Sequence, residues 1–216
     1  MNSLVTCICP TTASRRKFLP RAIDCFLKQT YTPRELLIVT EPGEAIEVPD
    51  HPLIRVVRTP GLLRLGAKRN FACEQAYGEI IAHFDDDDVS AAERLADQVS
   101  WLVLSGLGVT GYSQMKFTDG NRWWKYTGDP KFPLGTSLCY WKSWWEQCRF
   151  PDQQESSDTV FTYAAQGAGQ VSVHPCGNMM FATVHPASVQ YKRRISHLGD
   201  KSNWPELPAT EAVVCA

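Results

Sequence analysis

The sequence predicts an α/β protein in which a mostly parallel sheet carries helices on both faces, with a smaller antiparallel portion in the second half. Two observations lead to this fold class. Short apolar runs alternate with helix-period patterns through the first half, which is typical of strand–helix–strand units. The second half instead contains aromatic and polar segments with hairpin turn signals, which are typical of antiparallel strands.

Four apolar runs in the first half are bounded by turn residues and predict strands: Leu4–Cys9, Leu36–Val39, Leu53–Val57 and Glu79–Phe84. Apolar residues at helical spacing predict three helices, at residues 18–27, Leu65–Tyr77 and Ala91–Leu104. Parallel strands place their carboxyl ends at one edge of a sheet, and ligands of such folds bind there. That edge collects Thr11, Thr12, Glu41 and the aspartates that follow the fourth strand.

The second half predicts a hairpin within residues 111–128 that turns at Asp119-Gly120-Asn121. Two short helices and two strands follow: the helices Trp141–Cys148 and Thr159–Gln166, and the strands Val171–His174 and Met179–His185. Beyond Pro186 the chain is polar and contains proline, so it predicts no regular structure.

Length and composition are those of one globular domain: 216 residues, 44% hydrophobic and 21% charged. A net charge of −1 excludes a general basic surface for nucleic acid or anionic membranes. The eight cysteines form no C-x-x-C pair and lie mostly in apolar segments, which favours reduced packing residues. No stretch is apolar enough to span a bilayer. We therefore expect a cytoplasmic protein whose membrane association, if any, is peripheral.

The most informative feature is the run of four aspartates, Asp85–Asp88, directly after the apolar segment that ends at Phe84. Adjacent carboxylates repel each other and raise each other's pKa unless a cation compensates. Mg²⁺ and Mn²⁺ take oxygen ligands and leave places for substrate phosphates. The alternative is a solvated turn in which Asp88 caps the next helix, but this accounts for one aspartate and not for four.

Several segments, in this order and spacing, resemble the family 2 glycosyltransferases of the GT-A fold. They are Val5–Thr11, Phe26–Tyr31, Gly66–Asn70, Gly78–Asp88, Glu155–Phe161 and Val184–Pro186. The resemblance implies a Rossmann-like GT-A domain over residues 1–186, with a nucleotide-sugar half at 1–104 and an acceptor half at 105–186. Residues 187–216, beyond the resemblance, would form a tail or lid. Lys192–Arg194 could fold over the diphosphate, but the favoured alternative is a solvated basic patch.

The resemblance also implies roles for individual residues on the donor side. Donor-binding residues would be Pro10, Thr11, Thr12, Glu41, Lys68, Arg69, Asn70, Asp85 and Asp86. Asp87 and His185 would bind Mn²⁺ or Mg²⁺, with Asp85 on the ribose or on a metal-bound water, whereas for Asp88 we favour the helix cap. The alternatives are ordinary surface charge for Lys68 and Arg69, and a strand-end histidine without a role for His185.

On the acceptor side, the resemblance makes Asp158 the general base that takes the proton of the attacking hydroxyl. The alternative is an N-cap of the helix that follows. Aromatic residues of the second half either pack in the core or line an acceptor groove: Trp123, Trp124, Tyr126, Trp141, Trp144 and Trp145. Two departures from the family pattern stand out. Glu41 replaces a pair of aspartates after the second strand, and Ser157 replaces the glutamate before Asp158.

The function implied is an inverting hexosyltransferase that moves a sugar from a nucleotide-diphosphate sugar to an acceptor hydroxyl. A UDP-sugar is the favoured donor, although Glu41 leaves thymidine- and guanosine-linked donors open. Saccharide, lipid-linked saccharide, protein and modified nucleic acid are all compatible acceptors. The competing predictions are a nucleotidyltransferase on a related α/β fold and a non-catalytic, metal-dependent carbohydrate-binding module.

Overall fold

A computed structural model of the chain describes residues 2–127, 129–185 and 204–208. Its strands are β1 Val5–Pro10, β2 Arg34–Thr40, β3 Ile54–Arg58, β4 Ile80–His83, β5 Val89–Ser90, β6 Val109–Ser113, β7 Lys116–Thr118, β8 Trp123–Lys125, β9 Cys139–Trp141, β10 Val171–Pro175, β11 Met180–Thr183 and β12 Glu206–Leu207. Its helices are α1 Leu19–Leu27, α2 Leu65–Gln75, α3 Arg94–Ser105, α4 Lys142–Gln147 and α5 Ser157–Gly167. Short 3-10 turns lie at Ala13–Phe18 and Gly135–Ser137.

The main sheet has seven strands in the order β10-β6-β9-β4-β1-β2-β3. The strands β4, β1, β2 and β3 are mutually parallel, as are β10 and β6, and β9 alone runs antiparallel to its neighbours β4 and β6. The prediction of a mostly parallel sheet is therefore confirmed. All four predicted strands of the first half form within one or two residues of the expected bounds, because each is an apolar run stopped by a turn.

Helices cover both faces of this sheet, as the strand pattern predicts. The apolar side chains of α1 and α3 pack on one face, and those of α2, α4 and α5 pack on the other. Alternation along β1 separates the two layers, since Cys7 and Cys9 face the first cluster and Ile8 faces the second. The seven described cysteines are free thiols, and six of them are buried.

A second sheet of five strands, in the order β12-β8-β7-β11-β5, forms the smaller portion. The strands β7 and β8 form the predicted antiparallel hairpin, but β11 runs parallel to β7, so this sheet is mixed rather than purely antiparallel. The pair β5–β11 joins the segment after the aspartates to the second half. None of the described helices is long and apolar enough to cross a membrane.

Candidate active site

A cavity of about 530 Å³ opens at the carboxyl ends of β1, β2 and β4, where the parallel sheet predicts a ligand site. Nine of the twelve predicted site residues sit in its wall at the strand ends or on α2: Pro10, Thr11, Thr12, Glu41, Lys68, Arg69, Asp85, Asp86 and Asp87. Asp158 lines the cavity from the opposite side, on α5. The sheet topology therefore brings together residues that are far apart in the sequence.

Asp86 is held by the end of β1 and by the turn that follows it. Its carboxylate accepts a hydrogen bond from Thr11 Oγ1 at 2.6 Å, and Arg15 Nε lies 3.0 Å from both of its oxygens. Burial raises the pKa of Asp86, while the hydrogen bond from Arg15 opposes the rise. Asp86 thus anchors the acidic cluster to β1, a role that the sequence did not reveal.

Asp87 and His185, the two predicted metal ligands, are in contact. His185 Nε2 lies 2.7 Å from Asp87 Oδ2, and the Phe18 ring packs against the imidazole with centroids 4.3 Å apart and planes inclined by 34°. Arg15 Nη2 also lies 2.7 Å from Asp87 Oδ2. A guanidinium therefore already supplies positive charge to both Asp86 and Asp87.

Asp85, which is partly buried, and Asp88, which is buried, have no ion-pair partner within 4 Å among the described residues. Burial raises the pKa of Asp85 to about 6, with Arg69 opposing the rise and Asp87 adding to it. Burial, followed by repulsion from Asp87 and Asp85, raises the pKa of Asp88 well above its ordinary value. A cluster of buried carboxylates whose charged forms are disfavoured in this way is one that an added cation would stabilise.

The prediction that Asp88 caps the following helix is wrong. The helix α3 begins only at Arg94, because Val89 and Ser90 form β5 against β11. Asp88 instead accepts hydrogen bonds from the backbone N–H of Thr183, at 3.2 Å, and from the hydroxyl of Thr136. It connects β11 with the turn at Gly135–Ser137.

The residues present fit a divalent cation, such as Mg²⁺ or Mn²⁺, that also binds substrate phosphates. Among the described residues, no group of three or more histidine, cysteine, aspartate or glutamate side chains is arranged to hold a metal alone. Mg²⁺-type sites, however, draw only one or two ligands from the protein and the rest from substrate phosphates and water. Asp87 and His185 supply such a pair, and the buried carboxylates around them supply the negative field.

Lys68 and Arg69 lie on the first turns of α2 and are each only 4% exposed, so the surface-charge alternative is wrong. Lys68 Nζ lies 3.0 Å from Glu41 Oε1 and donates to the carbonyl of Thr11 at 3.3 Å. Glu41, which replaces the family's paired aspartates, is therefore joined to the base of the cavity by Lys68.

Arg69 spans the distance between the two sides of the cavity. Its Nη1 donates to Ser157 Oγ at 2.9 Å, and its Nη2 lies 3.8 Å from Asp158 Oδ2. The same guanidinium also lowers the pKa of Asp85 against the effect of burial. One buried cation thus connects the acidic cluster after β4 with the candidate base on α5.

Asp158 is not the N-cap of α5, so that alternative is wrong. The N-cap position is Ser156, and Asp158 is the second residue of the helix, where its Oδ1 accepts from the N–H of Thr159 at 2.8 Å. Its other oxygen faces Gly135, where a Cβ on that residue would come within 1.8 Å of Asp158 Oδ2. Only glycine leaves room for the carboxylate at this contact.

His83, the last residue of β4, fixes the turn that carries Gly135. Its Nδ1 donates to the carbonyl of Gly135 at 2.7 Å, and its Nε2 lies 3.4 Å from the Tyr140 hydroxyl. Burial lowers the pKa of His83 well below its ordinary value, so the ring is neutral. The sequence pattern placed His83 in an apolar strand and predicted no role for it. It also did not predict Gly135 or Arg15 as site residues.

Asn70 does not reach the cavity. Its Oδ1 accepts from Trp145 Nε1 at 2.9 Å and from the N–H of Phe150 at 3.0 Å, and its Nδ2 donates to the Phe150 carbonyl at 2.8 Å. Successive helical residues point about 100° apart, so α2 turns Asn70 away when it turns Lys68 toward the cavity. Asn70 is a structural residue that ties α2 to the segment after α4.

Of the two alternatives for the aromatic residues of the second half, core packing holds for Trp124 and Trp145, which are buried, and Trp123, Trp141 and Trp144 do not line the cavity. Of the six aromatic residues considered, only Tyr126 lines it. The other aromatic residues in the wall are Phe132, Tyr163 and Trp204, which the sequence pattern did not single out. Lys192–Arg194, the lid or basic patch, lie outside the described residues.

Comparison with known families gives one match, to the model for "Glycosyl transferase family 2", which covers residues 6–169. No curated protein matches the chain.

Solved structures show the same fold at low sequence identity. TarS residues 1–349 from S. aureus, crystallised with UDP-GlcNAc, matches with a TM-score of 0.70 and 18% identity over 87% of this chain and 60% of that one. The mannosyltransferase PcManGT from Pyrobaculum calidifontis, in complex with GDP-Man and Mn²⁺, matches with a TM-score of 0.70 and 19% identity over 92% of this chain and 62% of that one. The chain therefore spans about 60% of the length of these neighbours.

Proposed function

The chain belongs to glycosyl transferase family 2, and on that premise we propose that it transfers a hexose from a nucleotide-diphosphate sugar to an acceptor hydroxyl with inversion. One observation carries the proposal. A single cavity holds the buried aspartates at the end of β4 on one side and Asp158 on the other, with Arg69 between them. Glycosyl transfer needs these two features: a place for the leaving diphosphate and a base facing it.

The donor nucleotide would lie along the carboxyl ends of β1 and β2, against Pro10–Thr12 and Glu41. Lys68 and Arg69 would face the diphosphate, because both are held at the base of the cavity. A uridine-linked sugar remains our first donor to test. TarS was crystallised with UDP-GlcNAc and PcManGT with GDP-Man, so a guanosine-linked donor is the second.

Asp87 and His185 would hold Mn²⁺ or Mg²⁺, which when bound neutralises the charge that develops on the leaving diphosphate. Asp85 would contact the ribose or a water next to the cation. Asp86 would keep the cluster in place through its bonds to Thr11 and Arg15. In this arrangement the chain's own residues orient the donor and exclude water from the diphosphate.

Asp158 would accept the proton of the acceptor hydroxyl as that oxygen attacks the anomeric carbon. A base across the cavity from the aspartate cluster would direct the attack opposite the leaving group, which gives inversion. Arg69 Nη2 lies 3.8 Å from this carboxylate, and Gly135 leaves space for it. The hydroxyl oxygen forms the new glycosidic bond, and the old bond to the diphosphate oxygen breaks.

The test measures thermal stability with UDP, GDP and dTDP, with and without Mn²⁺. A nucleotide at about a hundred times its dissociation constant stabilises the fold by roughly 2.7 kcal/mol. We expect one nucleotide to stabilise the protein only with Mn²⁺, and Asp87→Ala to remove this effect while Asp50→Ala, an exposed aspartate, keeps it. Stabilisation by saccharides without any nucleotide would favour a binding module. Cleavage of a nucleoside triphosphate would favour a nucleotidyltransferase.

A further inference from the structure

We propose that Phe132 and Tyr163 form the acceptor subsite of this cavity and that the acceptor is a saccharide whose ring stacks on this pair. The proposal rests on the proposed function. The two rings lie with centroids 5.0 Å apart at an angle of 51°, and both line the cavity that contains Asp158. Tyr163 is 61% exposed, so much of its side chain is open to a ligand in the cavity.

The pair is held in a fixed position relative to Asp158. Tyr163 lies on α5, the helix that carries Asp158, and one turn beyond Thr159, which also lines the cavity. The loop that carries Phe132 is fastened to the same helix, because Gln166 Nε2 donates to the carbonyl of Lys131 at 2.9 Å. A ring stacked on this pair would therefore present its hydroxyls toward the base in a defined way.

A second aromatic pair in the cavity wall has a different role. Tyr126 and Trp204 lie with centroids 4.8 Å apart, but Trp204 is only 8% exposed and packs in the apolar cluster of the second sheet. Burial of this kind marks structural packing. Tyr163 of the first pair is 61% exposed, whereas Trp204 of the second pair is buried. The first pair is therefore the one that a ligand can stack on.

The chemistry around the exposed pair favours an uncharged saccharide over the other acceptor classes. A sugar ring has an apolar C–H face that stacks on the electron-rich face of an aromatic ring, and hydroxyls at its edge that need polar partners. The wall provides those partners in Gln154, Glu155 and Asp129, the last in the same turn as Phe132. Two carboxylates there repel the phosphates of a nucleic acid, and polar neighbours do not suit a lipid chain.

The experiment compares Tyr163→Ala and Phe132→Ala with Tyr163→Phe, which keeps the ring, and with Val160→Ala. Val160 is a matched control because it is 46% exposed on the same helix and does not line the cavity. Binding is measured on an array of neutral oligosaccharides in the presence of UDP and Mn²⁺. Glycans that bind are then offered free and on a lipid carrier in vesicles, which distinguishes the two sources of the sugar.

We expect Tyr163→Ala and Phe132→Ala to weaken glycan binding by roughly tenfold or more, with Tyr163→Phe and Val160→Ala close to the parent. Nucleotide stabilisation should be the same in all variants. The proposal is overturned if both alanine variants bind glycans as well as the parent protein does. It is also overturned if no glycan binds while UDP still stabilises the fold, or if only peptides or oligonucleotides bind. Loss of nucleotide stabilisation in the parent protein would instead count against the proposed function.

Discussion

The two sides of the cavity are built in different ways. The proposed donor side consists of polar and charged residues, buried or partly buried, that follow strand ends or lie on α2: Thr11, Arg15, Glu41, Lys68 and Asp85–Asp88. The acceptor side consists of a helix and a loop, with exposed aromatic rings and few ion pairs among the described residues. The charged side is held by ion pairs and by the sheet, whereas the aromatic side is held by α5 and by the hydrogen bond from Gln166 to the loop of Phe132. We expect substitutions on the two sides to affect different steps.

The largest effect is expected from Asp158→Asn, which removes the base and keeps the shape of the side chain. General-base catalysis contributes roughly 10²- to 10⁴-fold, so transfer should fall by about that factor. Stabilisation by nucleotide and Mn²⁺ should be unchanged. Asp152→Asn is the matched control, because Asp152 is exposed and lies outside the cavity. Weakened nucleotide binding with transfer intact would instead indicate that Asp158 contacts the donor.

Arg15→Met tests whether charge holds the donor side together. It leaves the carboxylates of Asp86 and Asp87 without their cation, and Asp86 is only 1% exposed. Loss of one partner of a buried pair costs several kcal/mol, and partial exposure of Arg15 reduces this to about 2 kcal/mol of unfolding free energy. Denaturant unfolding measures the loss.

Mn²⁺ alone should restore part of the stability of Arg15→Met, because a second cation reaches the same carboxylates. The control is Arg16→Met, which alters the exposed neighbouring arginine. Equal unfolding free energies for the two variants would show that Arg15 does not hold the cluster.

Gly135→Ala acts where the acceptor side meets the base. The added Cβ would come within 1.8 Å of Asp158 Oδ2, so the carboxylate must move. We expect transfer to fall by roughly ten- to a hundredfold, since small displacements of catalytic groups cost up to about that much. Nucleotide binding should not change. Gly167→Ala on α5, where a Cβ meets nothing, is the control, and a parent-like rate in Gly135→Ala would exclude the contact.

The smallest effect concerns His83, which joins the two sides by donating to Gly135. Burial lowers its pKa, so the folded protein keeps the ring neutral while the unfolded chain takes up a proton below about pH 6.5. This contribution to stability is present above that pH and is lost as the pH falls toward the folded pKa, by at most about 1.4 kcal/mol per pH unit.

His83→Asn keeps a donor for Gly135 and does not titrate. Between pH 7 and pH 5.5 the parent should therefore lose more unfolding free energy than this variant. The raised pKa values of Asp85 and Asp88 act in the opposite direction in both proteins, so they cancel in the comparison. Parallel pH profiles would mean that His83 takes up its proton as readily in the folded protein as in the unfolded chain.

The sequence predicts well which residues lie at the strand ends of the cavity, because the signals for strand ends are local. An apolar run followed by a polar residue defines both a strand and the strand end, and this placed Thr11, Glu41 and the aspartates at one edge. The direction of each side chain is less local. Asn70 follows Arg69 by one residue and still points away, and Asp88 bonds to Thr136 and Thr183 instead of the next helix.

The residues of the proposed acceptor side could not be predicted from the sequence, for a physical reason. Gly135 and Phe132 lie in a loop without periodicity, and their importance arises only because α5 packs beside that loop. Trp204 reaches the wall from a segment that predicted no regular structure. The adjacent tryptophans gave a strong compositional signal, but one of each pair, Trp124 and Trp145, is buried in the core, because large aromatic side chains stabilise most by burial.

The most direct test of the account is an anomalous diffraction map from crystals grown with UDP and Mn²⁺. We predict a manganese peak at coordination distance from Asp87 and His185, bridging to the diphosphate, with the nucleoside along Pro10–Thr12. A manganese peak remote from the β4 carboxyl end, or a nucleotide bound outside this cavity, would contradict it.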